Sequence, residues 1–223
     1  MKKLLTILCL VLLVSCSPPP EVPSNQLVER QGIKYEINST TPFTGSSVEY
    51  HSNGQLEFRK NYKGGKKEGL EVWFYENGQL SSQTNNKDEE PDGPYEIYYE
   101  NGQLEQRGNT KNDRPDGLIE WFRENGQLEQ RGNYKNGELD GLSEEYYENG
   151  QLSETKHYKD GTEEGFQEEF FDNGQLQEKR NIKNGELVLH QTFDQEGNPL
   201  NDLTYKDGKK TGVEVRFYEN GQL

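Results

Sequence analysis

Apolar residues in this 223-residue chain come in short bursts at even intervals. Val72-Trp73-Phe74-Tyr75, Ile97-Tyr98-Tyr99, Trp121-Phe122 and Phe170-Phe171 are each built from residue types that suit a pleated, half-buried surface. A polar turn follows each burst. Asn77-Gly78-Gln79-Leu80 is the first clear example, and the same word returns at 53–56, 101–104, 125–128, 149–152, 173–176 and 220–223. Leu56, Leu80, Leu104, Leu128, Leu152, Leu176 and Leu200 are spaced 24 residues apart. A fixed period of this size marks a repeat array, in which each unit packs on its neighbours.

Turn chemistry supplies the rest of the unit. A two-residue type I′ hairpin needs positive φ at both central positions, and Asn followed by Gly meets that need at low steric cost. The spacing therefore predicts a strand, a turn with Asn77 and Gly78 at its centre, and a returning strand. Tyr75 is expected across from Leu80, with Trp73 on the same face; Tyr99 and Leu104, Tyr147 and Leu152, Phe171 and Leu176, and Tyr218 and Leu223 are the equivalents. The opposite face is expected to carry Tyr50, Phe74, Tyr98, Phe122, Tyr146, Phe170, Phe193 and Phe217. A second turn, at Lys135-Asn136-Gly137, Lys183-Asn184-Gly185 or Lys206-Asp207-Gly208, leads to the Gly that opens the next unit. The in-register Asn61, Asn85, Asn109, Asn133 and Asn181 are expected to form a structural amide ladder. The fold class is all-β: an elongated antiparallel β-meander of 24-residue hairpin repeats, a largely single-layer twisted sheet. Residues 43–223 hold eight units. The seventh is degenerate: Gln195-Glu196-Gly197-Asn198-Pro199-Leu200 carries one extra residue and a Pro, which predict a wider turn, and the eighth is incomplete. Its C-terminal edge strand is an expected route to a homodimer.

The start of the chain has a different character. Lys2-Lys3 and an apolar run over 4–14 form a signal-peptide pattern over 1–15, too short to span a bilayer comfortably. Leu13-Val14-Ser15-Cys16 resembles the lipobox of bacterial lipoproteins. That resemblance implies lipidation of Cys16. With Ser17 next, it also implies a lipid-anchored place in the bacterial cell envelope, at the outer membrane. Cys9 leaves with the signal, so Cys16 alone can support neither a disulfide framework nor a cysteine metal site. Residues 16–42 are expected to comprise the lipidated N-terminus, a Pro-rich tether and a lead-in strand. Pro18-Pro19-Pro20 through Asn25 reads as a stiff spacer, and Ile33-Lys34-Tyr35-Glu36-Ile37 as a strand capping the first edge.

Composition narrows the function classes. The chain has 40 acidic and 25 basic side chains, a formal net charge of −15, or −17 once Lys2 and Lys3 are removed. This acidity argues against nucleic acid and against anionic headgroups as partners. Hydrophobic residues are only 29%, a figure that leans towards disorder, but their aromatic and periodic placement favours a repeat sheet. His51, His157 and His190 lie in separate units without a catalytic partner set, and no catalytic residue is assigned. The acidic loops at 88–92 and 160–164 lack the order of a calcium loop, so no metal and no cofactor is expected. Trp73, Tyr75, Tyr99, Trp121 and Tyr147 are the candidate binding residues, an aromatic row suited to an extended peptide or a glycan; the competing reading makes them the core.

The recurring unit of two aromatics, Glu-Asn-Gly-Gln-Leu, then Tyr-Lys-Asn/Asp-Gly and an acidic residue with Gly, resembles the bacterial variant of the MORN repeat family. Glu145-Tyr146-Tyr147-Glu148-Asn149-Gly150-Gln151-Leu152 with Tyr158-Lys159-Asp160-Gly161 is a good example, and the likeness covers 45–223. The resemblance implies a scaffold, dimerisation module or membrane-associated adaptor, with no catalytic set. Many bacterial proteins like this are catalogued as antitoxin components of toxin–antitoxin systems, which implies neutralising a partner by binding. The expected function is a non-enzymatic, membrane-anchored repeat lipoprotein serving as a protein–protein interaction or scaffold module, with an unknown protein partner. The alternatives are an antitoxin-like protein and a carbohydrate- or cell-wall-binding module.

Overall fold

The computed structural model describes residues 19–216. From Gly45 onward each strand pairs antiparallel with the next, so the expected meander is what forms. Strand β1 is Glu21–Pro23, β2 Leu27–Arg30, β3 Ile33–Glu36, β4 Gly45–Tyr50 and β5 Leu56–Lys63. The sheet then continues through Gly69–Phe74, Leu80–Lys87, Glu90–Tyr98, Leu104–Lys111 and onward to Lys209–Arg216.

The Asn-Gly-Gln loop is not the two-residue turn expected. The Gly78 amide donates to the Tyr75 carbonyl and the Tyr75 amide to the Gln79 carbonyl, both at 2.9 Å. Gly78 has a φ of 84°, while Asn77 is not in the positive-φ region. This is a three-residue loop of Glu76, Asn77 and Gly78, a type I turn closed by a left-handed Gly. The register changes as a result: Phe74, not Tyr75, stands across from Leu80. The cause lies in the Asn side chain. Its Oδ1 accepts the Gln79 amide at 2.9 Å, which fixes a right-handed Asn, and its Nδ2 donates to the Glu100 carbonyl of the next loop at 2.9 Å. The same inter-repeat bond joins Asn53 to Glu76, Asn101 to Glu124, Asn149 to Asp172 and Asn173 to Gln195. Asn125 differs, because its Nδ2 turns back to Gln127 Oε1 at 3.1 Å.

Paired positive φ occurs on the other long edge. Asn136 and Gly137 have φ of 52° and 95°, and Lys135 pairs with Glu138 across them. Beyond such turns the strand bulges at the opening Gly, and three members of the expected amide ladder tie the bulge, while Asn109 bonds the Thr110 and Asp116 carbonyls instead. Asn61 Nδ2 donates to the Leu70 carbonyl at 2.6 Å, Asn85 to Pro94 and Asn133 to Leu142 at 3.2 Å, while His157 Nδ1 meets the Phe166 carbonyl at 3.0 Å.

The degenerate seventh unit keeps the ordinary loop. The Asp194 amide donates to the Asn198 carbonyl at 2.9 Å, the Gly197 amide to Asp194 at 3.0 Å, and Phe193 pairs with Pro199. The wider turn expected from Pro199 is absent, because Pro opens a strand there, where a missing N–H is tolerated. Nor does the hairpin carry an extra residue, since Pro199 stands where other units have Leu; the unit instead has one residue fewer, one turn earlier. Leu187-Val188-Leu189 stands where other units have Leu139-Asp140-Gly141-Leu142, and the bulge shrinks accordingly.

The N-terminal end also departs from expectation. Residues read as a spacer form β1, which pairs parallel with β4 through Glu21 and Ser46, Val22 and Ser47, and Pro23 and Val48. This strand, not Ile33–Glu36, closes the first edge. β3 pairs instead with β2 as a separate hairpin, and the Lys34 amide meets the Gly65 carbonyl at 2.9 Å. The best-buried apolar side chains of this end are Phe43, Val48, Phe58 and Tyr62, with Phe43 and Tyr62 rings 5.9 Å apart. Further along, the thin core mixes large and small residues. Ile119 is 2% exposed, and a side chain on the facing Gly108 would meet its Cγ1 at 2.9 Å.

Two predictions follow from these contacts. Asn77→Ala removes both a loop bond and an inter-repeat bond, and is expected to lower stability by about 1–2 kcal/mol in urea unfolding. Asn125→Ala, lacking the inter-repeat bond, is expected to lower it by less. The second concerns Tyr62, whose phenol is raised from 10.0 to about 12, first by burial and then by Glu71, Glu89 and Glu29. A folded pKa above the unfolded value favours the folded state fully below pH 10. That contribution is lost as pH climbs from about 10 to about 12, and Tyr62→Phe is expected to flatten the decline in a pH series of thermal melts.

Candidate interaction surface

Alternation along the strands places Trp73, Tyr75, Tyr99, Trp121 and Tyr147 on one face, one or two per unit. All five are half-buried. Trp73 packs on Phe58 at 4.8 Å between ring centres, and its Nε1 donates to Glu71 at 2.9 Å. Lys60 Nζ sits 4.2 Å from both the Phe58 and Trp73 rings, and burial lowers its pKa against the pull of Glu71. Trp121 meets Tyr134 edge-on at 6.2 Å.

The three tyrosines act through their hydroxyls. Tyr75 donates to the Tyr98 carbonyl at 2.5 Å, Tyr99 to Phe122 at 2.8 Å and Tyr147 to Phe170 at 2.6 Å. Each bond reaches from one unit to the next. In this column His51 Nε2 meets the Phe74 carbonyl at 2.8 Å, and Arg123 Nη2 donates to Tyr146 at 2.7 Å. Trp73 and the three tyrosines therefore hold successive repeats together, while Trp121 packs within its own unit.

The opposite face presents apolar groups to solvent. Leu70, Leu118 and Phe166 are 42%, 44% and 45% exposed, with Pro94 and Leu142 at the intervening positions of the same row. Sequence reasoning missed this row, although it was marked: each member directly follows the Gly that opens its unit. Phe74, Tyr98, Phe122, Tyr146 and Phe170 make a second row nearer the Asn-Gly-Gln loops. Between the rows the charges are internally matched. Glu96 bonds Gln83, Arg107 meets Glu120 at 2.6 Å, Arg131 meets Glu144, and Lys179 meets Glu168 at 2.7 Å. Burial, then the 2.6 Å bond to Glu96, raises the Tyr98 phenol to about 12. Shallow clefts of about 220 Å³ and 260 Å³ separate Leu70 from Pro94 and Pro94 from Leu118.

The loop edge is acidic. Glu76, Glu100, Glu124, Glu148 and Asp172 are exposed, one per unit. Notches of about 470 Å³ open between successive loops, one lined by His51, Tyr75, Glu76 and Glu100, another by Tyr99, Arg123, Glu124 and Glu148. Arg123 is balanced there by Glu129 at 2.7 Å. Burial raises the Tyr99 phenol, helped by Glu105, Glu129 and Glu124.

Among the described residues no group of three or more His, Cys, Asp or Glu side chains is arranged to hold a metal ion. No described helix is long and apolar enough to cross a membrane. Cys16, Phe217, the Tyr218–Leu223 pair and the C-terminal edge lie outside the described residues.

The repeat geometry agrees with comparison against known families. A profile described as MORN repeat variant matches residues 43–63, 67–88, 91–112, 115–136, 139–160, 163–184 and 210–223. The interval at 185–209, which holds the shortened seventh unit, is unmatched. A search of curated proteins finds no match to the chain. The matched segments fall at the observed structural period and cover more than half the chain, which therefore belongs to the MORN repeat variant family.

Proposed function

We propose that this protein is an envelope lipoprotein, anchored through Cys16, whose repeat sheet binds a protein partner on its outer face. Repeats of this family generally serve as protein- or membrane-interaction modules, and the family is not a known enzyme family. The observation that carries the reading is the exposed apolar row of Leu70, Leu118 and Phe166. It flanks a strip whose charges are already paired, so a partner covering it displaces water from apolar surface without stranding an ion. The glycan reading draws less support, because Trp73 and Trp121 are half-buried against neighbouring rings. The lipobox-like Leu13-Val14-Ser15-Cys16 supports the anchor.

Host fractionation with mass spectrometry of the N-terminal peptide tests the anchor, and photo-cross-linking from the outer face tests the partner. Wild type is expected in the envelope fraction with a lipidated Cys16, and Cys16→Ser is expected to leave it. Leu118→Glu is expected to weaken partner capture on the order of tenfold, the effect of losing one well-placed interface anchor. A soluble cytoplasmic protein still starting at Met1 would sink the anchor and make the antitoxin-like reading the lead. Retention on a wall polymer, lost in Trp121→Ala, would move the assignment to carbohydrate binding.

A further inference from the structure

We infer that the docked first strand turns the lipid anchor into a short rigid mount, with the first edge of the sheet against the lipid headgroups and the later repeats pointing away from the bilayer. This rests on the anchoring reading above and deepens it.

The docking of the chain just after Cys16 carries the inference. The Pro20 carbonyl accepts the Ser46 amide at 2.8 Å, and β1 continues the contact to Pro23. Arg59 holds Glu21 at 2.8 Å, and Ser24 Oγ donates to Glu49 at 2.6 Å. Gly45 makes the close approach possible, since a Cβ there would strike the Pro20 carbonyl oxygen. Cys16 and Pro20 are four peptide units apart in sequence, a separation of at most about 14 Å. A flexible lipoprotein tether would let the folded part drift and tumble; this one reaches a hydrogen-bonded strand almost at once. The edge that β1 closes is therefore the part of the sheet nearest the anchor.

Charge favours the same direction as the mount without setting it. Between residues 19 and 68 seven basic side chains face six acidic ones, and Lys60 and Lys67 reach Glu71 while Lys66 reaches Asp88. From 69 to 223 there are 34 acidic against 16 basic. Lys63 and Lys66 are exposed at the turn beside the β2–β3 hairpin. An anionic surface repels the near-neutral first segment far less than the second, which favours an array mounted at its first edge standing off the bilayer over one lying along it. The acidity of the whole chain argues against membrane contact; its distribution confines that argument to the later repeats.

Trp73 and Trp121, two units apart, report the orientation. At about 4.8 Å per strand they stand about 19 Å apart along the array. The full-length lipidated protein is reconstituted into phosphatidylcholine–phosphatidylglycerol vesicles carrying a dansyl headgroup lipid, and energy transfer from each Trp is read separately. Trp121→Phe, which leaves Trp73, is expected to show the higher transfer, and Trp73→Phe the lower. A flexible Gly-Ser stretch inserted between Ser17 and Pro18 is expected to lower both signals and erase the difference, because it leaves the fold intact and frees the mount. Gly45→Ala, which dislodges β1, is a second release and is expected to do the same. Equal transfer from the two Trp residues in lipidated protein would overturn the inference and leave the anchor standing. A difference that survives the insertion would show that charge, not the mount, orients the array, and would also overturn it. Absence of lipid on Cys16 would remove the anchor and the inference together.

Discussion

Everything in this sheet depends on how one repeat is tied to the next. A single layer with few buried apolar groups cannot rely on a thick core, and its turns would leave polar backbone groups to compete with water. The chain solves this with side chains aimed at the carbonyls of the following unit. Asn77 reaches Glu100, and Tyr75 reaches Tyr98; the same two links recur along the array. Each is a modest hydrogen bond of about 1 kcal/mol in net terms, but the bonds repeat in register and lock neighbouring hairpins in one relative position. The apolar contacts beneath, such as Trp73 on Phe58, then act between surfaces already aligned.

That arrangement explains which parts of the fold were legible. The 24-residue period, the β-formers and the turn residues gave the all-β meander, because each is a local signal repeated many times. Register was less legible. Asn77-Gly78 looks like a two-residue turn, but the Asn77 Oδ1 holds the Gln79 amide in a three-residue loop, which forms equally at Asn125, where the bond to the next repeat is missing. Likewise Tyr75 reads as an aromatic face residue until its hydroxyl is seen bonding Tyr98. The outer row at Leu70, Leu118 and Phe166 was hidden for another reason: a single apolar residue after each opening Gly makes no apolar run, whereas the aromatics before the loop do. The docked β1 was unreadable because a Pro-flanked segment carries no pattern of its own and gains its strand from β4.

The ties also divide the molecule's surfaces by what they leave over. The inner face spends its polar and aromatic groups on packing and on the next repeat. The outer face spends its charges on each other and leaves apolar groups exposed. The loop edge keeps unspent carboxylates such as Glu100 and Asp172, because there the backbone carbonyl of the acidic residue, not its side chain, is the acceptor used by the array. A partner thus meets three surfaces of different character on one thin object, and the apolar outer face is the one where burial yields the most per unit area.

Departures from the repeat show what the ties require. Arg123 occupies a tyrosine position, yet it makes the same bond to a carbonyl one unit on, and Glu129 balances the charge it adds. The loop beside it is the one where Asn125 lets go of its neighbour. The longer, charged donor has taken over the joint that Asn and Tyr share elsewhere. His51 likewise substitutes a ring nitrogen for a hydroxyl at the first joint. What the sequence preserves at this column is therefore a donor of sufficient reach, not an aromatic ring. Phe171 has a ring and no donor, and at that joint the link is left to Asn173 and the Gln195 carbonyl. The next unit is the shortened one, which has also lost the Gly of its bulge. That joint has lost one tie beside the loss of the regular bulge, and it is where the family pattern lapses before resuming.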